Sequence, residues 1–165
     1  MSIEIILAEE ADSLLLGRAL ANCLPISCTV FLHGGLGAGK TTLVRSVLRN
    51  LGVSGPVPSP TYTLAEIYAV GDREVQHFDL YRLADSEEFE LIGARDYFAT
   101  VATRFIEWPE RGAGVLPVPE FSIALDIAGS GRACVMTCAV EKHESVLLCI
   151  SNSMKYKEKH TGLDN

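Results

Sequence analysis

The sequence predicts an α/β domain, three layers around a mixed, mostly parallel central sheet with an antiparallel hairpin towards the C-terminus. Val30, Phe31 and Leu32 run apolar without alternation, as a strand covered on both faces by helices does. A turn rich in glycine, "HGGLGAGKTT" at 33–42, follows and opens into an apolar-periodic segment. Farther on, Phe121, Ile123, Leu125 and Ile127 alternate with Ser122, Ala124 and Asp126. After Ala128-Gly129-Ser130-Gly131 a second strand-like run covers 132–140, which is the pattern of a hairpin.

Taken in order, residues 3–7 form a short strand, and 10–24 carry Leu14, Leu15, Ala19, Leu20 and Cys23 near helical spacing. The strand at 29–32 leads through the glycine turn to a helix over 41–51, closed by Gly52. The segment "GVSGPVPSPTYT" at 52–63 is a loop by its prolines and glycines, and loops of that length are often functional. A strand is expected at 62–68 and another at 75–81, the second ending near Asp79. Ser86 is placed to cap an acidic-start helix over 86–92, and Phe105 and Ile106 make a short strand that ends at Glu107. A proline-bearing loop at 112–119 precedes the hairpin. With no internal repeat and 165 residues, the chain is expected to form one domain over 1–150 and a polar, flexible tail over 151–165.

A net charge of −7 argues against a protein that grips nucleic acid through its general field, since phosphate neutralisation needs clustered cations. Lys155, Lys157 and Lys159 do cluster, but in the polar tail. No apolar run approaches the roughly 18 residues of a membrane helix, and the first residues lack the pattern of a secretory signal. A soluble, cytoplasmic protein without membrane partners is expected. Five cysteines without a C-x-x-C pair are expected to stay reduced and to act as small hydrophobes.

Gly34, four residues, Gly39, Lys40 and Thr41 satisfy G-x-x-x-x-G-K-[ST] between a strand and a helix, the setting of a P-loop. The fold class is therefore that of the P-loop nucleoside triphosphatases. Glycines let successive amides turn inward around an oxyanion, and the helix adds its positive end. Gly37, Ala38, Gly39, Lys40, Thr41 and Thr42 are the candidate ATP-binding residues, with Lys40 reaching the terminal phosphates and Thr41 ligating Mg²⁺.

Such a site needs a strand-end carboxylate for the metal and a group that orients the nucleophile. Asp79 and Glu107 both stand where strands end, the side on which open α/β sheets bind ligands. Asp79, Glu107 and Lys40 are the candidate catalytic groups, with Thr41 and Glu107 on the metal, Asp79 on water, and the exchange of the two acids left open. Ser59, Thr61 and Thr63 supply hydroxyls for a γ-phosphate-sensing switch. Trp108 is a candidate contact for a partner or the nucleotide, Arg132 either reaches the nucleotide or caps the hairpin, and His77 reads as structural.

Together, "GGLGAGKTT", "SPTYTL" at 59–64, "HFDLYRL" at 77–83 and "EWPE" at 107–110 resemble the bacterial TsaE family over about residues 4–150. "GARDYF" at 93–98 and "GVLP" at 114–117 extend the likeness. The resemblance implies a small Mg²⁺-dependent P-loop ATPase that works with the proteins TsaB and TsaD. Its implied task is making N6-threonylcarbamoyladenosine beside the anticodon of tRNAs reading codons that begin with A, with tRNA contacted at most indirectly. It also implies that Lys40 and Thr41 bind phosphate and Mg²⁺, that Glu107 completes the metal site and Asp79 is Walker B-like, and that Glu10 and Arg132 lie near the nucleotide. Gly35 departs from the pattern, standing where the family usually carries Asp.

Three other classes are weighed against it. A small-molecule kinase of this fold would carry an arginine-rich lid, whereas the arginine near 112–119 is Arg111. A GTP switch would need an N-K-x-D segment, which does not follow Glu107. A nucleotide-dependent adaptor would bind ATP without needing to cleave it.

Overall fold

The computed structural model describes residues 1–91 and 93–155. The chain runs β1 (Ser2–Leu7), α1 (Glu10–Cys23), β2 (Cys28–His33), α2 (Lys40–Leu51), β3 (Ala65–Val70), β4 (Arg73–Asp79), α3 (Ser86–Leu91), α4 (Ala94–Phe98), β5 (Thr103–Glu107), β6 (Phe121–Ala128), β7 (Gly131–Cys138) and α5 (Glu144–Lys155). One sheet takes all seven strands in the order β1-β7-β6-β2-β5-β4-β3. Its centre, β6-β2-β5-β4, is parallel. The additions are antiparallel: β3 on β4, β7 on β6, and β1 on β7.

Alternation along the parallel strands divides the core in two. Val30, Leu32, Val75 and Phe105 pack with α1, α2 and α5, while Phe78, Leu80 and Ile106 pack with Phe89 and Ala94 of α3 and α4. The helical cover on the second face stops short of β1 and β7, where Ile6 and Val135 are exposed. On the first face α1 and α2 cross closely. A Cβ on Gly17 would lie 2.3 Å from the Ser46 Cβ, and the Ser46 hydroxyl donates to the Leu14 carbonyl at 2.8 Å.

The structure corrects several expectations. Residues 62–64 do not extend β3: Leu64 has φ 67° and donates its amide to the Pro60 carbonyl at 2.7 Å, so the chain turns first. The cap of α3 is Asp85 rather than Ser86, its carboxylate accepting from the Glu88 amide at 2.9 Å; the expected end of that helix, residue 92, lies outside the described residues. The domain does not stop at 150. Helix α5 continues to Lys155 because Leu147, Ile150 and Met154 share a face that packs into the first core. The rest of the expected tail, 156–165, lies outside the described residues.

Not all five cysteines are free. Cys23 of α1 and Cys149 of α5 form a disulfide, Cα–Cα 6.0 Å, between positions 126 apart. No local spacing announces that pairing; the packing of α5 on α1 creates it. Cys28 and Cys134 are buried, as small hydrophobes would be, and burial pushes both thiols up to about 12. No helix among the described residues is long and apolar enough to cross a membrane.

In the native protein at pH 8, iodoacetamide should label Cys138 well before Cys28 or Cys134, since a thiol at about 12 is only about one part in ten thousand thiolate. Peptide mass spectrometry after timed alkylation checks this; equal labelling of the three would contradict the buried placement.

Candidate nucleotide site

Three strands end together. Leu32 of β2 lies opposite Glu107 of β5, and Glu107 lies opposite Asp79 of β4. One residue beyond β2 the glycine turn begins, so backbone amides and two carboxylates meet at one sheet edge.

The turn has little freedom to be anything else. Gly34 has φ 136°, and a Cβ there would lie 2.3 Å from the Leu125 carbonyl oxygen, because the loop leaves β2 pressed against β6. Gly39 caps α2 with φ 103°, a conformation that costs an L-residue its Cβ clearance. The Ala38 amide donates to the Gly35 carbonyl at 3.2 Å and closes the loop. Lys40, Thr41 and Thr42 then supply the first amides of α2, which have no intrahelical acceptor and carry the positive end of the helix. From outside, Arg132 of β7 holds the turn in place: Nε donates to the Ala38 carbonyl at 3.1 Å and Nη2 to the Gly37 carbonyl at 3.2 Å. At Gly35 a Cβ meets nothing within 4 Å, so the missing acid leaves the cradle intact.

Lys40 is buried, and its Nζ donates to the Gly34 and Gly35 carbonyls at 2.6 and 2.9 Å. Burial lowers its pKa, while Glu107, Asp79 and Glu110 act in the opposite direction. The same ammonium sits 4.2 Å from the centroid of the Trp108 ring. Trp108 holds a left-handed backbone, φ 58°, and its ring meets Tyr81 at 5.0 Å. Residues held in this conformation cluster at active sites and ligand clamps.

Glu107 Oε1 accepts the Thr41 hydroxyl at 2.8 Å and faces His77 Nε2 at 2.8 Å. Asp79 is tied elsewhere. Its Oδ2 accepts from the Thr61 hydroxyl at 2.5 Å and its Oδ1 from the Tyr81 amide at 3.0 Å. Ser59 and Thr61 share a hydrogen bond at 2.8 Å, so these two loop hydroxyls join the site. Thr63 does not: it donates to Glu66 at 2.8 Å on the exposed side and is absent from the cleft lining.

Two recesses flank the turn. A cleft of 450 Å³ brings Lys40, Thr41, Ser59, Thr61, Asp79, Glu107 and Trp108 to one space. A second recess, 330 Å³, is lined by Glu10, Arg132 and Ser130 together with Gly37 and Ala38. Gly37, Gly39 and Thr42 border both. Phosphates would bridge the two, with the acids on one side and room for a nucleoside on the other.

Among the described residues no three His, Cys, Asp or Glu side chains converge as a complete metal cage. Mg²⁺ is commonly held by one or two protein oxygens together with substrate phosphates and water. The Thr41 and Glu107 oxygens, in contact at the mouth of the nest, are a fitting pair. Sequence reasoning missed Tyr81 and Arg82, which also line the cleft, and set His77 aside as structural. The signal for His77 was its spacing, two residues before Asp79 on the same strand face.

Residues 7–134 match the family described as threonylcarbamoyl adenosine biosynthesis protein TsaE. The tRNA threonylcarbamoyladenosine biosynthesis protein TsaE of Haemophilus influenzae is 44% identical over 74% of this chain and 78% of its own length. The protein of that name from Treponema pallidum is 36% identical over 70% of this chain and 85% of its own. The crystal structure of Bacillus subtilis YdiB shares the fold, with a TM-score of 0.77 over 92% of this chain and 95% of that one, at 22% identity.

Gly34→Ala should cost on the order of 3 kcal/mol, about 6–12 °C in Tm, because both φ and the Leu125 carbonyl oppose a side chain. Gly35→Ala should change stability by less than about 1 kcal/mol. Thermal unfolding of the two variants checks the contrast, and equal Tm values would refute it.

Proposed function

The chain belongs to the TsaE family of threonylcarbamoyl adenosine biosynthesis proteins, and from that membership and the site geometry we propose that it binds and hydrolyses ATP with Mg²⁺. In this proposal its hydrolysis serves a cytoplasmic complex of TsaB and TsaD that threonylcarbamoylates the adenosine beside the anticodon in tRNAs reading codons that begin with A. The observation that carries the reading is the 2.8 Å contact between Thr41 and Glu107 at the mouth of the amide nest. It brings the helix-start hydroxyl expected to ligate a divalent cation against a carboxylate from the neighbouring strand.

Each residue then has a task. The amides of the turn and of Lys40, Thr41 and Thr42 receive the phosphate oxygens. The Lys40 ammonium leaves the Gly34 and Gly35 carbonyls for the terminal phosphates, exchanging neutral acceptors for charged ones. Thr41 and Glu107 would hold Mg²⁺, which when bound would supply positive charge against the phosphates. Asp79 orients the attacking water and accepts its proton as the water oxygen bonds to the γ-phosphorus and the bond to the bridging oxygen breaks, releasing ADP and inorganic phosphate. Because Thr61 and Ser59 hang on Asp79, loop position and water position are coupled. That supports slow turnover alone and faster turnover when a partner orders the loop. Glu10 and Arg132 border the nucleoside side, and the net charge of −7 supports indirect rather than direct tRNA contact.

Lys40→Ala should lose ATP affinity and turnover by at least about 100-fold. Glu107→Ala should raise the Mg²⁺ needed for half-maximal turnover by roughly 10- to 100-fold, whereas Asp79→Ala should bind Mg²⁺-ATP and fail to cleave it. Turnover and tRNA modification measured with purified TsaB, TsaD and tRNA check all three; full modification by Asp79→Ala would favour an adaptor. Trp108, the single tryptophan, should change fluorescence as ATP draws Lys40 from beneath its ring. A titration without that change would contradict the assigned movement.

A further inference from the structure

The geometry points to His77 as a positioning residue that holds the Glu107 carboxylate in place for the metal; the inference rests on the metal-site role proposed for Glu107. His77 is fully buried, 0% exposed, in a strand whose same-face neighbours Val75 and Phe105 belong to the apolar core. Filling that space alone would suit leucine better, because a buried imidazole loses the hydration of two nitrogens. Something must offset that cost.

One nitrogen has found a partner. Nε2 lies 2.8 Å from Glu107 Oε1, one diagonal step across β4 and β5, where His77 stands opposite Phe105. Nδ1 is buried with no hydrogen-bond partner. A carboxylate accepts, so Nε2 is the donor to Glu107, and Nδ1 is left without a partner. The contact with Glu107 is therefore the polar interaction that accounts for the ring.

Its value lies in what happens when nucleotide arrives. Glu107 Oε1 has two donors, the Thr41 hydroxyl and the His77 ring. Thr41 is the one with another task, since its hydroxyl is needed for the metal. When the Thr41 oxygen engages the metal and its contact with Glu107 readjusts, His77 remains as a protein donor that fixes the carboxylate. Without it Glu107 rotates freely in a site where orientation decides affinity. Partners of this outer kind are commonly worth 10- to 100-fold in metal affinity or activity.

The test compares three variants. His77→Leu keeps the volume and removes the donor, His77→Gln brings an amide nitrogen to the reach of Nε2, and His77→Asn reaches only as far as Nδ1. Mn²⁺ binding is read by electron paramagnetic resonance on the full chain with a non-hydrolysable ATP analogue, and ATP turnover is read against Mg²⁺ concentration. Leu and Asn should weaken Mn²⁺ binding and raise the Mg²⁺ requirement about 10- to 100-fold. Their nucleotide affinity in chelator should stay within about twofold, and Gln should restore Mn²⁺ binding to within about threefold. If Leu does not fold, the Gln-against-Asn contrast decides. Wild-type Mn²⁺ affinity in Asn, or a Gln variant no better than Asn, would overturn the positioning role while leaving the ATPase proposal standing. A wild-type chain that takes up no metal with nucleotide would overturn both.

Discussion

Two carboxylates and an ammonium are held almost out of water at one end of a parallel sheet, and the rest of the structure is arranged around that constraint. Asp79 and Glu107 are neighbours in register, and each is under 5% exposed. Burying like charges side by side is costly unless every oxygen is answered. Here the answers come from different directions: Thr41 and His77 for Glu107, Thr61 and the Tyr81 amide for Asp79. Lys40 lies between the acids and the carbonyls of its own loop. These charged groups thus already hold protein partners, and a ligand must replace each contact it displaces with a better one.

That network depends on a rigid frame. The glycine turn is trapped between Leu125, which leaves no space for a side chain at Gly34, and Arg132, which grips the carbonyls of Gly37 and Ala38. Behind it, α2 is locked to α1 by the close approach of Gly17 and Ser46. The loop hydroxyls lie on the other side. The loop that bears Ser59 and Thr61 is anchored by Val57 in the core and by the Asp79 amide on the Leu64 carbonyl, and it meets the Asp79 carboxylate through the Thr61 hydroxyl. Backbone-held donors therefore face side-chain hydroxyls across one cleft.

Much of this was legible in the residues. The apolar run at 30–32, the spacing from Gly34 to Thr41 and the alternation after Phe121 placed the parallel centre, the nest and the hairpin, because each is a local signal with a period or a fixed offset. Asp79 and Glu107 were visible as strand-end acids. Less was visible where the chain obeys distant partners. Helix α5 was missed although Leu147, Ile150 and Met154 have helical spacing, since a polar surrounding composition masked the stripe. Thr63 carried the same hydroxyl as Ser59 and Thr61, yet the turn at Leu64 sends it to Glu66 and out of the site.

By itself the sequence determined that the chain would present an amide nest, a lysine and two strand-end carboxylates, because torsional freedom at glycine and the period of a strand are properties of short stretches. Tertiary structure decided which acid meets Thr41, that His77 faces Glu107, that Arg132 braces the loop, and that Cys23 meets Cys149. Those contacts join residues from 30 to 126 positions apart. Their geometry is set by strand order and by helix packing on the sheet, which depend on the whole buried surface at once and leave no mark at any single position.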